Sequence, residues 1–278
     1  MTEFAVQIEG LRYVYQPQGI AALDGIDLAV QRGEFVGIIG ENGAGKTTLL
    51  KNMVGLLRPT SGKVWIDGLD ASQQAVSNLA THVGFVLQNP DRQLFAQTVE
   101  EEIAFGPRNL KLDKQEIRGR VEDAIAATGL EVFRSEFPPA LPKGERAKVV
   151  IASVLAMRPE TVILDEPTTG QDYKGCHQIM QIAYQLHLAG HTVLVVTHDM
   201  ALIAEYAQRT VVLHEGRVLL DDTTAAVFAQ PELLQRTHVT PPQITRLAQA
   251  LPRKLALPPT TLTVAELGRS IVESPKQK

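Results

Sequence analysis

Apolar and polar positions along this chain follow two rhythms. Near the start, Phe4, Val6 and Ile8 alternate with polar neighbours, followed by Leu11, Tyr13 and Tyr15. A period of two predicts a strand, here read as an edge strand. Residues 19–33 predict a second pair of strands, with Leu28 and Val30 inward and a turn at 31–33. Residues 34–39 are nearly all apolar and read as a buried strand; 48–54 read as a helix ending near Arg58 and Pro59. Residues 61–68 form a short strand between turn signals, and 82–88 another, stopped by Asn89 and Pro90. From about 90 to 155 the spacing lengthens to three and four, as in Val121, Ala124, Ile125 and Thr128, which predicts helices. Pro138, Pro139 and Pro142 interrupt that pattern, and a helix restarts around Gly144. Strands then return. Residues 161–164 and 192–196 are continuous apolar runs rich in β-branched side chains, which suits central parallel strands covered on both faces. Residues 211–213 and 217–220 flank His214, Glu215 and Gly216 as a hairpin. Beyond about 225 come short helices and prolines, among them Pro241, Pro242, Pro258 and Pro259, and the end is expected to fray from about Glu273.

The pattern predicts an α/β fold in which a main unit over 1–225 carries a helical part at about 90–155, with a small helical extension over 226–278. The 278 residues are 44% hydrophobic and 21% charged, which places the chain among globular proteins. A net charge of -4 argues against a broad nucleic-acid-binding face, and no nucleic-acid partner is expected. Cys176 is the sole cysteine, so no internal disulfide can form and a cytosolic setting is natural. The first residues lack the basic and apolar regions of a signal peptide. No run reaches about 18 apolar residues; the longest, 149–157, reads as core helix rather than a membrane span.

The chemistry begins directly after the buried strand at 34–39. Gly40-Glu-Asn-Gly-Ala-Gly-Lys46-Thr47 fits G-x-x-x-x-G-K-[ST], a phosphate-binding P-loop set between a strand and a helix. Gly40, Gly43 and Gly45 let the backbone curl so that N–H groups converge on phosphate oxygens. The positive end of the following helix adds to that field. Lys46 would reach the β- and γ-phosphates of ATP, Thr47 would hold Mg2+, and Asn42, Ala44 and Thr48 complete the cradle. Two carboxylates end the strand at 161–164. Asp165 can hold Mg2+ opposite Thr47, directly or through water, and Glu166 can polarise a water for attack on the γ-phosphate. Such a pair is often only a solvated loop end; a P-loop in the same chain gives it a task. His198 ends the strand at 192–196 and Gln88 the strand at 82–88. Strand ends on one side of a parallel sheet converge on the ligand crevice. His198 would face the γ-phosphate and Glu166, and Gln88 the metal or the attacking water.

The order of these elements resembles the nucleotide-binding subunit of an ABC transporter over roughly residues 4–225. It runs P-loop, Gln88, Leu141-Pro-Lys-Gly-Glu145, Asp165-Glu166-Pro167, Thr169-Gly-Gln-Asp172 and His198. The resemblance implies that Tyr15 stacks on adenine, with Tyr13 as the fallback. It also implies that Leu141, Lys143 and Gly144 lie at the signature position, which meets the nucleotide of the opposite subunit. Gln88-Asn-Pro-Asp-Arg-Gln-Leu-Phe95, then 98–107 and 239–247, are similar to the ATPases of energy-coupling-factor transporters, which import vitamins and metal ions. That implies a peripheral place on the cytoplasmic face of the membrane. It also implies a tail that dimerises, and integral membrane subunits docking near Gln88–Phe95 by a helix in a groove. Leu94 and Phe95 are either the groove's apolar floor or simply core.

The signature departs from the family's Leu-Ser-Gly-Gly-Gln, and no Gly-Gly pair occurs in the chain. Pro142 has neither a hydroxyl nor an N–H, Lys143 adds bulk and a cation, and Glu145 adds a negative charge. Gln171 stands where leucine is usual. In a homodimer both sites would carry this weakened signature. The expectation is therefore an asymmetric heterodimer with a second ATPase whose signature is intact. A soluble ATPase with no membrane partner and a regulatory ATP-binding subunit with little hydrolysis are the alternatives.

Overall fold

The computed structural model describes residues 3–251, 258 and 260–273. Two sheets share one core. The first is antiparallel, in the order β2-β1-β4-β5, from β1 (Phe4–Tyr15), β2 (Ile20–Gln31), β4 (Ser61–Ile66) and β5 (Leu69–Asp70). The second has the order β10-β9-β3-β8-β7-β6. It contains β3 (Phe35–Gly40), β6 (Val83–Val86), β7 (Thr161–Asp165), β8 (Thr192–Val196), β9 (Arg209–His214) and β10 (Arg217–Thr223). All of its neighbours pair parallel except β10, which closes a hairpin on β9.

The continuous apolar runs are explained by burial on both faces. In β3, Val36 and Ile38 join one apolar cluster with Val6, Ile8 and Leu28 of the antiparallel sheet and with Leu49, Leu50 and Met53 of α1 (Lys46–Met53). Phe35 and Ile39 point into the other cluster, beneath the helices. After α2 (Val76–Leu79), three helices pack on one another: α3 (Val99–Asn109), α4 (Lys114–Thr128) and α5 (Lys143–Leu155). The buried positions of α4 are Val121, Ala124, Ile125 and Thr128, the set that the spacing picks out. Two more helices, α6 (Tyr173–Leu188) and α7 (Met200–Tyr206), lie on the same face of the parallel sheet as Phe35 and Ile39.

The tail contains α8 (Thr224–Phe228), α9 (Pro231–Arg236), α10 (Gln243–Ala250) and α11 (Val264–Glu273). Val227, Phe228, Leu234 and Val239 are buried in the main core. Thr245 Oγ1 donates to the Thr261 carbonyl at 2.7 Å and ties α10 to the segment before α11. Pro259 and the residues after Glu273, where fraying is expected, lie outside the described residues.

Three local expectations are corrected. β1 is not an edge strand, because β2 and β4 pair with it on either side. Residues 19–33 hold one twelve-residue strand rather than two, and Leu28 and Val30 are indeed inward. The P-loop helix stops at Met53, before Arg58: Gly55 has a φ of +73°, and its N–H turns back to the Asn52 carbonyl.

Candidate nucleotide site

β3 ends in Gly40, and the loop to α1 turns on three glycines with φ of +148° at Gly40, +85° at Gly43 and +100° at Gly45. Gly45 caps α1 in the left-handed region, and a Cβ there would come within 2.5 Å of the Ala22 carbonyl oxygen. A Cβ on Gly43 would meet nothing within 4 Å, and with Asn42 it forms the open side of the loop. Ala44 is buried in the core beneath. Lys46 folds back over the loop, and its Nζ donates to the carbonyls of Gly40 at 2.7 Å and Glu41 at 2.8 Å. Burial lowers the Lys46 pKa, while the carboxylates of Glu166, Asp165 and Glu41 push it back up. Tyr15, from the other sheet, meets the first turn of α1: its hydroxyl lies 3.0 Å from Thr48 Oγ1, and Tyr13 packs edge-on against its ring.

The catalytic candidates stand at the ends of β6, β7 and β8. Asp165 closes β7, is buried, and accepts a hydrogen bond from Thr47 Oγ1 at 3.0 Å. Burial raises its pKa, Thr47's bond and Lys46 oppose that, and Glu166 adds to it. Glu166 has a φ of +49°, uncommon and costly for a residue with a side chain. Its N–H donates to the Val196 carbonyl at 2.9 Å, so the end of β8 holds the peptide in that conformation. Three groups converge on its carboxylate: His198 Nε2 at 2.7 Å from Oε1, with Gln88 Nε2 at 2.9 Å and Thr169 Oγ1 at 3.1 Å donating to Oε2. His198 is 44% exposed and Glu166 15%, so the pair is open to solvent on the histidine side.

The structure thus gathers Tyr15, the loop from Gly40 to Thr48, Gln88, Asp165, Glu166 and His198. The signature-position residues sit elsewhere. Leu141 is buried in the core, while Lys143 and Gly144 lie at the start of α5 and meet Gly170 and Gln171. Leu94 is core, whereas Phe95 is 58% exposed and packs edge-on against the exposed Phe105. Three further residues, with no role legible in the sequence, bear on the site. Thr169 supports Glu166, and His214 Nδ1 lies 2.9 Å from Glu41 Oε1 in the P-loop. His238 of the tail lies 3.7 Å from the other oxygen of Glu41. His214 reads as a hairpin residue in sequence, and only the pairing of β9 with β3 puts it beside the loop.

The donor set fits Mg2+ with a nucleotide. A hydroxyl and one carboxylate are hard oxygen ligands, and they leave room for phosphate oxygens and water, as that ion prefers. A parallel sheet whose central strand opens into a P-loop, with a strand-end carboxylate bonded to the P-loop threonine, defines a P-loop nucleoside triphosphatase. Within that class the chain belongs to the ABC transporter family and carries its ATP-binding cassette; the family's model, ABC transporter, matches residues 23–169. A putative ABC transporter ATP-binding protein of Caldanaerobacter subterraneus is 43% identical over 246 residues, which cover 88% of this chain. This chain spans only 43% of that relative's length. The energy-coupling factor transporter ATP-binding protein EcfA of Methanocaldococcus jannaschii is 39% identical over 278 residues and 99% of both chains. Among solved structures, cbiO1 from Clostridium perfringens, part of the ABC transporter complex cbiONQ, matches with a TM-score of 0.77 and 36% identity over 88% of this chain and 99% of that one. The dimeric cassette MJ0796 bound to ADP and Pi matches with a TM-score of 0.71 and 30% identity over 79% of this chain and 98% of that one.

Proposed function

We propose that this chain is the ATP-hydrolysing subunit of a membrane importer of the energy-coupling-factor type, working in an asymmetric dimer on the cytoplasmic face of the membrane. The observation that carries the hydrolytic reading is the Glu166 carboxylate, held by His198, Gln88 and Thr169 beside the Thr47–Asp165 pair. Lys46 leaves its two carbonyl partners to bind the β- and γ-phosphates. Thr47 and Asp165 hold Mg2+, which when bound neutralises phosphate charge. Tyr15 offers its ring to adenine. Glu166 takes the proton of the water that attacks the γ-phosphate, and ADP leaves; His198 fixes the carboxylate's direction.

The transport reading rests on the relatives and on one surface. No helix among the described residues is long and apolar enough to cross a membrane. In this reading the membrane component is a separate protein, as the resemblance to energy-coupling-factor ATPases implies. The exposed Phe95–Phe105 pair, just past Gln88, is where a helix of that component docks. Asymmetry follows from the start of α5. Its cap residue is Pro142, which makes no side-chain capping bond, so the signature position offers a partner's nucleotide neither a hydroxyl nor that N–H. The second subunit therefore supplies an intact signature to this chain's P-loop. Residues 226–278 serve in dimer contacts.

The test is ATP hydrolysis by this chain alone and with a candidate partner ATPase whose signature is intact. Fast hydrolysis is expected only in the mixture. Glu166→Gln here should cut it roughly 100- to 1,000-fold while ATP still binds. Equal rates alone would show that Pro142, Lys143, Gly144 and Glu145 serve as a working signature. Binding with no hydrolysis in either sample would favour a regulatory subunit. Failure to co-purify with any membrane subunit would favour a soluble ATPase.

A further inference from the structure

The two departures at the signature position and after the strand-end carboxylates, Lys143 and Gln171, are in contact with each other's loops. Lys143 is the first residue of α5, and its ammonium end lies over Gly170, in the space where any other residue would carry its Cβ. Gly170 has a φ of +73°, so glycine suits the position twice over. In the opposite direction, the Gln171 side-chain oxygen reaches α5, 3.0 Å from where a Cβ on Gly144 would stand. The same oxygen is 3.2 Å from the corresponding point on Gly175, in the first turn of α6. Gln171 is thus wedged between the starts of two helices. It brings a partial negative charge to the positive end of α5, whose own cap makes no side-chain bond.

These contacts lead to the hydrolytic carboxylate in two steps. The Gln171 N–H donates to the Thr168 carbonyl at 3.1 Å, and the Thr169 N–H donates to the Glu166 carbonyl at 3.1 Å. Thr169 Oγ1 then donates to Glu166 Oε2 at 3.1 Å. The turn from Glu166 to Gln171 is therefore tied by its own hydrogen bonds, with α5 at one end and Glu166 at the other.

We propose that Lys143 and Gln171 form a clasp within the chain that fixes the Glu166–Gln171 turn, making both of them positioning residues for this chain's own hydrolytic site. The signature segment then acts on the nucleotide of its own subunit, through Thr169, whatever it does to a partner's. The clasp itself needs no partner; only its effect on rate takes from the proposed function the hydrolytic role of Glu166.

The experiment has two readouts on the full chain carrying Lys143→Ala, Gln171→Leu, both together, or Lys143→Arg. The first is amide hydrogen exchange without nucleotide. Exchange at Thr169 and Gln171 should rise about tenfold in each single variant, rise no further in the double, and stay near the parent in Lys143→Arg. The second is steady-state hydrolysis in whichever assembly is active. The rate constant should fall about three- to tenfold, with KM for ATP at this chain's own P-loop within about twofold, because neither residue touches that loop. Unchanged exchange, multiplicative effects in the double variant, or a change confined to KM would overturn the clasp. Faster exchange in a chain that hydrolyses nothing in any assembly would sink the catalytic reading of Glu166 and leave the clasp standing.

Discussion

Asp165 and Lys46 are both buried, and each is shifted toward its neutral form, Asp165 upward and Lys46 downward. Burial is the largest cause in both, and each charge partly relieves the other. The linkage signs are opposite. Between the ordinary carboxylate range and its raised folded pKa, Asp165 has lost its proton in the unfolded chain and kept it in the folded one. Stability from this group is therefore present below that window and is lost as pH rises through it. Lys46 has a lowered folded pKa, so its contribution is present above the ordinary lysine range and is lost as pH falls through the folded value. Near neutral pH Asp165 thus costs the fold stability. Asp165→Asn removes the charge and keeps an oxygen to accept from Thr47. Its unfolding midpoint without nucleotide should rise by roughly 2–4 °C in a thermal melt, while Mg2+-dependent ATP binding should weaken at least about tenfold. A lower midpoint would mean that the Thr47 bond outweighs the buried charge.

At the scale of elements, a second buried carboxylate holds the segment after Gln88 in place. Glu102 of α3 is 3% exposed, and its Oε2 accepts from the N–H groups of Phe95 at 2.9 Å and Ala96 at 2.8 Å. Glu102→Ala strands both donors and should cost about 2–4 kcal/mol in urea unfolding; a loss below about 1 kcal/mol would show that water replaces the carboxylate. In the sequence Glu102 is one of three consecutive glutamates, and nothing local marks it as the buried one. The same limit explains which elements were legible. The α4 stripe and the runs of β7 and β8 were readable because burial there follows the element's own period. β1 was misread because an antiparallel strand with one solvated face has the same alternation whether it has one neighbour or two. The end of α1 was legible in principle, since Gly55 is an ordinary helix stop, but Pro59 drew the boundary outward. The P-loop and the strand-end residues could be placed because motif and element type coincide. Thr169 and His214 could not, because their roles depend on which strands lie side by side.

For the whole molecule, β3 is the joint between the two apolar clusters, with Phe35 and Ile39 in one and Val36 and Ile38 in the other. The P-loop leaves the end of that strand, so a ligand seated there is supported by both halves of the core at once. The loop's inner groups bond within the chain, Lys46 to two carbonyls and Thr47 to Asp165. Unfolding removes the site completely, so ATP with Mg2+ binds the folded chain alone, and stability rises by about 2.7 kcal/mol at a hundredfold excess over Kd. That corresponds to roughly 5–10 °C in the melting midpoint for a domain of this size. The expected pattern is a shift of that order with ATP and Mg2+, most of it lost when EDTA replaces the metal, and none in Lys46→Ala. A full shift in EDTA would remove Thr47 and Asp165 from the metal's shell. Two separate transitions, only one of them moved by ATP, would show that β3 does not bind the two clusters into one cooperative unit.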